Sequence, residues 1–248
     1  MSNSPLIVYT KLSPNCTKPR NHAIDTISIH CMAGNLSVEA CLGLPRFQNY
    51  DPVNGVSCNY AIDSKGRIGL CVDEANMSWC TSSKTNDHRA VTIEVANNGG
   101  APDWPVSDEA YKALIALVAD ICKRNKIKRL LWKGDKSLIG QVDKQNMTVH
   151  RWFANKACPG NYLYNRHTDI ANQVNKLIEE VEPVAKDNTP DSYAKPAVDW
   201  ALQNKILLGD DTGNLKLHEP VTRQDVLVFI KRTYDLMKRD ILHHCRGL

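Results

Sequence analysis

Apolar and polar residues alternate along two stretches of the chain, a pattern typical of β-strands. In IDTISIHC, residues 24–31, Ile27 and Ile29 face one way and Thr26, Ser28 and His30 face the other. AVTIEVA, residues 90–96, alternates in the same manner and places Glu94 among its polar positions. We expect the first stretch to be a half-buried strand with His30 at its polar end, and the second to be another strand.

Two further apolar runs, SCNYAI (57–62) and RIGLCV (67–72), flank the tetrapeptide DSKG. A short connection with Gly66 at its tight position predicts a β-hairpin. IKRLLW (127–132) predicts one more strand.

Helical signals lie between these strands. Ser37 is a candidate N-cap for the short helix SVEACLGL, and Ser107 for a longer helix whose apolar residues recur at i, i+4, i+7, i+8 and i+11. DIANQVNKLIEEV, residues 169–181, predicts a closing helix. Strands interleaved with helices, with one hairpin, predict an α/β fold: a mixed central β-sheet flanked by helices.

The polar stretch PVAKDNTPDS, which contains two prolines, ends this pattern. We predict a catalytic domain over residues 1–182, a linker over 183–192 and a small helical module over 193–248. The module holds two helical stretches, 194–207 and 222–239, separated by a turn-rich segment. A chain of 248 residues suits one full domain with a small one beside it.

Composition and charge weigh against several classes of partner. The formal net charge is +4 and Lys and Arg form no block, so nucleic-acid binding is not expected. A mild positive charge suits only a weak attraction to an anionic polymer such as a cell wall. No apolar run approaches membrane-spanning length, so no membrane partner is expected. MSNSPLIVYTKLSP lacks the features of a secretory signal, so we expect synthesis in the cytoplasm. The nine dispersed cysteines are then expected to be reduced, and most to be small buried residues.

VHRWFANKACPG, residues 149–160, concentrates reactive side chains in a short stretch. His150 and Cys158 stand eight residues apart, and His30 ends a predicted strand. Two imidazoles and a thiolate supply three zinc ligands and leave a fourth position open, as a catalytic zinc requires. Such an ion acidifies water and polarises a carbonyl, which is what amide hydrolysis needs.

Glu94 is a candidate general base for this site, and Lys156 a candidate for stabilising the oxyanion. Each residue also has a structural interpretation. A His at a strand end is often a polar residue whose hydrogen bonds are made within the protein, and a Cys beside Pro is often a buried packing residue. Glu94 is equally suited to pairing with an Arg, and Lys156 to being a solvated loop charge.

Four stretches in order, ISIHCMAG, VSCNYAIDSKGRI, NDHRAVTIEVAN and HRWFANKACPG, carry a family resemblance. They resemble the zinc-dependent N-acetylmuramoyl-L-alanine amidases, which share a fold with phage lysozyme-type amidases and animal peptidoglycan recognition proteins. The resemblance covers roughly residues 24–180. It implies zinc ligation by His30, His150 and Cys158.

The same resemblance implies catalytic roles for Glu94 and Lys156. One departure concerns the catalytic Tyr of phage lysozyme-type members, because Cys58 stands at that position. Tyr60, two residues on, is expected to share a face with Cys58 and to belong to the core or the lining of the groove.

Loops before the Glu94 strand offer further candidates for contact with a glycan-peptide. These are Trp79 and Ser82 of SWCTSS, and Asn86 and His88 of NDHR. The alternative is that Trp79 is a core residue and the others are solvated loop positions.

The resemblance implies cleavage of the amide between N-acetylmuramic acid and L-alanine of the peptidoglycan stem peptide. A phage endolysin released by a holin fits an enzyme without a signal peptide, and a bacterial autolysin is the next interpretation. The alternatives are a non-catalytic peptidoglycan-binding protein and an amidase of soluble muropeptides in wall recycling. Cys158 disfavours the first of these, because non-catalytic members typically lack the last ligand, and the added C-terminal segment disfavours the second.

AVDWALQNKILLGDDTGNLKLHEPVTRQDVLVFIKR, in the C-terminal module, resembles a single S-layer homology motif. The resemblance implies binding of secondary cell-wall polymers, although such motifs usually occur in sets of three. Two helices bury little apolar surface. Trp200, Leu202, Val226 and Phe229 are therefore also candidates for forming a homodimer or for packing on the catalytic domain.

Overall fold

The computed structural model describes residues 2–179, 186–211 and 213–246, without the side chains of 240 and 242–246. The chain divides into two compact units, Met1–Glu180 and Val181–Leu248. Residues 183–185 of the predicted linker lie outside the described residues.

Strands and helices are numbered in chain order within the described residues. The strands are β1 Tyr9–Thr10, β2 Cys16–Thr17, β3 Thr26–Cys31, β4 Tyr60–Ile62, β5 Ile68–Leu70, β6 Met77–Ser78, β7 Ala90–Val95 and β8 Met147–Thr148. The α-helices are α1 Val38–Leu42, α2 Pro45–Gln48, α3 Lys84–Arg89, α4 Asp108–Arg124, α5 Gly160–Ile178, α6 Lys195–Gln203 and α7 Arg223–Arg246. Short 3-10 helices cover Lys136–Leu138 and His150–Trp152.

Six strands form the central sheet, in the order β1-β5-β4-β7-β3-β8. The β4–β5 pair is an antiparallel hairpin and the other pairs are parallel, so the sheet is mixed. One face packs against α4 and α5 through a single core of buried aliphatic residues. The predicted α/β fold is confirmed.

Local signals in the sequence account for several of these elements. Ser37 caps α1 by accepting a hydrogen bond from the Ala40 amide, and Ser107 caps α4 through the Ala110 amide. Gly66 closes the hairpin with a φ of +75°, a conformation that is costly for residues with a Cβ. These three predictions are confirmed.

The prediction of a strand over residues 127–132 is wrong, and β8 takes the place beside β3 instead. Amide side chains, rather than a neighbouring strand, satisfy much of this backbone. Asn175 Oδ1 accepts from the Leu130 amide at 2.8 Å, and Asn175 Nδ2 donates to the Leu130 carbonyl at 2.9 Å. Asn146 Oδ1 accepts in the same way from the Leu131 amide at 2.7 Å.

Two further expectations need correction. All six residues of β3 are buried, so the strand is covered on both faces and is not half-buried. The closing helix α5 begins at Gly160, nine residues before the predicted start at 169.

The C-terminal unit contains α6 and α7, which correspond to the two predicted helical stretches. Asp187 and Asn188, near the start of this unit, form hydrogen bonds with the turn between α6 and α7. The Asp187 amide donates to Asn214 Oδ1 at 2.8 Å, and Asn188 Oδ1 accepts from the Leu215 amide at 2.7 Å. No helix among the described residues is long and apolar enough to cross a membrane.

Candidate active site

Parallel pairing of β3 and β7 sets two candidate residues side by side near the carboxyl ends of both strands. The register pairs His30 with Glu94, and His30 Nδ1 lies 4.0 Å from Glu94 Oε1. β8 lies on the other side of β3 and leads directly into the 3-10 helix that begins at His150. Cys158 lies two residues before α5. Four residues that are distant in sequence therefore meet at one edge of the sheet.

His30, His150 and Cys158 each offer one ligand atom, and these atoms lie within 4.8 Å of one another. His30 Nδ1 and Cys158 Sγ are 3.4 Å apart. Two ligands at usual zinc bond lengths and a tetrahedral angle would stand about 3.5 Å apart, so this spacing suits a shared zinc ion. His30, Cys80 and Glu94 form a second such group, which shares His30 and thus belongs to the same centre.

Each imidazole has a serine hydroxyl next to its Nε2. Ser28 Oγ lies 3.2 Å from His30 Nε2 and 3.4 Å from the Thr148 carbonyl oxygen, to which it donates. Ser82 Oγ lies 3.2 Å from His150 Nε2. A ring that donates from Nε2 to a serine leaves Nδ1 as a lone pair for a metal, and this outer partner fixes the orientation of the ring.

Burial keeps both imidazoles in the neutral form that metal binding needs. His30 is fully buried, and this burial, followed by the charge of His150, lowers its pKa to about 3. Burial and then the charge of Lys156 also lower the pKa of His150.

The hydrogen bond with Cys31, followed by burial and the charge of Glu94, raises the pKa of Cys158 well above that of a free thiol. The Cys31 amide also donates to Cys158 Sγ at 3.4 Å. A cation bound at the three ligand atoms would favour the thiolate, because metal coordination opposes protonation.

Glu94 lies at the floor of a groove, and its side chain is 17% exposed. Burial, followed by the nearby Cys31, raises its pKa to about 8. The buried Oε2 has no hydrogen-bond partner within the part of the chain that the structure describes. No Arg lies within ion-pair distance of Glu94 there, and the charge of Arg46 acts on its carboxyl only by opposing the rise in pKa.

The groove has a volume of about 910 Å³ and opens over these residues. Glu94, His150, Lys156 and Cys158 all line it. The Lys156 side chain is exposed and so can reach a ligand in the groove. The site thus combines three side chains that could hold a metal ion, a carboxylate with a raised pKa and a cationic side chain.

Comparison with known proteins places this site in a family. Residues 20–161, more than half of the chain, match the family model described as N-acetylmuramoyl-L-alanine amidase. The chain belongs to this amidase family. His30, Glu94, His150 and Cys158 all fall within the matched residues. No curated protein matches the chain.

Solved structures are similar to this chain at low sequence identity. Staphylococcus aureus hydrolase AmiA is 13% identical, with a TM-score of 0.50 over 68% of this chain and 82% of its own. The endolysin amidase LysCS of Clostridium intestinale is 15% identical, with a TM-score of 0.44 over 63% of this chain and 90% of its own. Drosophila peptidoglycan recognition protein SA is 16% identical, with a TM-score of 0.47 over 64% and 90%.

Two predicted substrate contacts line the amidase groove, Trp79 and Ser82. Trp79 is half-buried. Its indole Nε1 donates to Thr17 Oγ1 at 3.0 Å, and the centroid of its ring lies 6.3 Å from that of Tyr50. Sequence patterns missed two other lining residues, Tyr50 and Arg46. Both lie at or just after α2, where no motif distinguishes them from ordinary surface residues.

Three other predicted contacts do not line the groove. Tyr60 is fully buried among core residues, and its hydroxyl donates to Glu74 Oε1 at 2.6 Å. Asn86 is buried and donates to Thr81 Oγ1 at 3.3 Å, which stabilises the loop before α3. His88 Nδ1 accepts from the Asn21 amide at 3.0 Å. These hydrogen bonds explain why the three side chains do not line the groove.

The expectation that Cys58 and Tyr60 share a face is also wrong. Cys58 packs in a second cluster with Cys41, Phe47 and Cys71, whereas Tyr60 packs against α4 in the main core. β4 begins only at Tyr60, and a bend at the preceding residue breaks the strand alternation.

Proposed function

We propose that the chain is a zinc-dependent amidase that binds one zinc ion through His30, His150 and Cys158. The observation that carries this proposal is the convergence of the three ligand atoms within 4.8 Å, beside a buried carboxylate. When bound, zinc supplies Lewis acidity, which polarises the scissile carbonyl and acidifies the attacking water.

Glu94 is the general base in this proposal. It lies 4.0 Å from the ligand atom of His30, so it can accept a proton from a water molecule held beside the ligands. Its raised pKa makes the carboxylate a stronger base than an exposed glutamate. A bound cation favours the ionised form, which is the form that accepts the proton.

Lys156 stabilises the negative charge that develops on the carbonyl oxygen. Its exposed side chain lines the groove two residues before Cys158. An ammonium group that meets the oxyanion in the transition state lowers the barrier more than it tightens substrate binding.

Peptidoglycan is the substrate in this proposal, and the groove of about 910 Å³ over the site receives it. Of the substrate-binding residues predicted from the sequence, Trp79 and Ser82 line the groove and keep that role in the proposal. We place the chain among lytic amidases of the endolysin or autolysin kind, acting on the bacterial cell wall; for an endolysin, release follows opening of the membrane by a holin.

The test of the reaction is mass spectrometry of digested peptidoglycan. New N-terminal L-alanine without new reducing sugar ends is expected. New reducing ends would mean that a glycan bond is cut, and no new termini at all would indicate a binding protein instead.

The test of the metal centre is zinc content measured on purified protein. About one zinc per chain is expected, and Cys158→Ser should lose most of it, because the thiolate is the only anionic ligand of the three. Cys80→Ser is the matched control, because Cys80 lies in the second group of ligand atoms and is not assigned to the zinc. Full zinc content in Cys158→Ser would contradict the assignment.

We also propose that the C-terminal module, residues 193–248, attaches the enzyme to secondary cell-wall polymers. α6, a turn with Gly213 at a φ of +77° and α7 follow one another in the order that the S-layer homology resemblance implies. Trp200 on α6 is 49% exposed and so available to a ligand.

Removal of Val181–Leu248 tests this attachment, because the cut falls between the two compact units. The shortened enzyme should still cleave soluble muropeptides but should no longer adsorb to whole cell walls. Unchanged adsorption would contradict the proposal.

A further inference from the structure

The helix α7 presents a stripe of exposed apolar residues along one side. These residues are Leu227, Ile230, Tyr234, Met237 and Ile241, each between 58% and 66% exposed. Their spacings are three, four, three and four residues, which is the a and d pattern of a heptad repeat. At 100° per residue they fall within an arc of about 80°.

This stripe is separate from the face of α7 that packs within its own unit. Phe229, Arg232, Thr233 and Leu236 are the half-buried residues of the same stretch. Arg232 Nη1 donates to the Ile206 carbonyl at 2.8 Å, which marks the inner face. At 100° per residue, the centre of the stripe lies about 120° from Phe229, about 140° from Leu236 and opposite Arg232. The unit therefore folds without using the stripe.

We propose that the stripe is the seam of a parallel two-stranded coiled coil between α7 helices of two copies of this chain. A 3.5-residue apolar repeat is complementary to itself, because each a and d side chain fits between four residues of an identical helix. A secondary cell-wall polymer is polar and so does not suit this surface. A narrow arc is also unlike the broad apolar face of a helix that lies in a membrane surface.

The charges that flank the seam favour the parallel arrangement. Lys231 and Lys238 occupy e positions, and Val226 and Thr233 occupy g positions. In a parallel pair, Lys231 faces Val226 of the other copy and Lys238 faces its Thr233, so like charges stay apart. In an antiparallel pair centred on this stripe, Lys231 would face Lys238 of the other copy.

The seam is short. From Leu227 to Ile241 it spans about 21 Å at 1.5 Å per residue, so the dimer is expected to depend on protein concentration. Sedimentation velocity of the full chain, at loadings from about 1 to about 100 µM, should show a species of about twice 27.8 kDa that grows with concentration. A monomer throughout that range would overturn the proposal.

The double variant Ile230→Lys with Met237→Lys tests the seam itself. It should raise the dissociation constant by about 100-fold or more, because four ammonium groups would be buried at the interface. Val228→Lys is the matched control, since Val228 is exposed but lies on the far side of α7. Circular dichroism and turnover of a soluble muropeptide should match the wild-type chain in both variants. A double variant that stays dimeric would place the interface elsewhere.

Met237→Cys tests the orientation under mild oxidation, with the wild-type chain as the background for native cysteines. A parallel coiled coil brings the two d-position sulfurs together and gives a disulfide-linked dimer, whereas an antiparallel one sets position 237 near 234 of the other copy. A non-covalent dimer without this cross-link would refute the parallel arrangement. A monomeric chain that sediments with anionic lipid vesicles would replace the proposal with a membrane contact.

Discussion

Ser28→Ala is expected to weaken zinc binding without touching a ligand atom. Ser28 is fully buried, and its hydroxyl lies between His30 Nε2 and the Thr148 carbonyl. The substitution removes one oxygen and leaves the Nε2–H without a partner. The imidazole then loses the contact that fixes its orientation toward the metal.

The size of the effect follows from burial. An unsatisfied polar group in a buried position costs about 1–3 kcal/mol, and loss of such an outer partner typically weakens metal binding about 10–100-fold. Because no water has access to Ser28, we expect the full range to apply. Ser82 makes the corresponding contact to His150 but is exposed, so water can replace its hydroxyl. Ser82→Ala should therefore weaken zinc binding only a few-fold, by less than about 1 kcal/mol.

Competition with a chromophoric zinc chelator measures both affinities. Thermal unfolding of the metal-free proteins shows whether either substitution disturbs the fold. Zinc affinity in Ser28→Ala equal to that of the wild-type chain would refute the reasoning. An effect of Ser82→Ala larger than that of Ser28→Ala would refute it too, because the order of the two follows from burial alone.

Three other predictions concern the base, the backbone and a buried histidine. Glu94→Gln should keep zinc and fold but lose about 100-fold or more in kcat, as expected for a general base, and a near-normal rate in steady-state kinetics would reject that role. Asn175→Ala should lower the free energy of denaturant unfolding by about 2–4 kcal/mol, because the buried amide and carbonyl of Leu130 lose their partner. Asn172→Ala, on the same helix but exposed, is the control and should change it by less than about 0.5 kcal/mol. Burial lowers the pKa of His167 to about 4, so the unfolded chain binds more protons and stability is lost as pH falls from about 6.5 to about 4. The uncharged variant His167→Leu should lose about 2–3 kcal/mol less than the wild-type chain between pH 7 and pH 4.5, and equal losses would contradict the assignment.

Much of the fold was predictable because its signals are local. Alternation in residues 24–31 and 90–96 marks β3 and β7, and serine hydroxyls mark the starts of two helices. Parallel register then places His30 opposite Glu94, since both lie near the carboxyl ends of adjacent strands. The resemblance was needed for the ligand set, because spacing alone leaves His150 and Cys158 with structural interpretations.

Features that depend on distant partners were not predictable. The segment 127–132 has the composition of a strand, but Asn175, far along the chain, bonds its backbone instead. Tyr60 was expected at the core or the groove, and the buried acceptor Glu74 fixes it in the core. Asn86 and His88 have the polar character of groove residues, yet local hydrogen bonds occupy both. A pattern shows which residues are polar, and only the fold shows what they face.

The eight-residue step between His150 and Cys158 is the clearest case of sequence and fold acting together. The 3-10 helix begins at His150. Its second residue, Arg151, forms hydrogen bonds with the end of the loop that leads to Cys158. The Arg151 amide donates to the Cys158 carbonyl at 3.2 Å, and its guanidinium donates to the Ala157 carbonyl at 2.5 Å. Arg151 also lies over the Tyr164 ring on α5, 4.6 Å from its centroid. A loop that is closed in this way fixes the positions of His150 and Cys158 relative to each other, so its length matters more than its secondary structure.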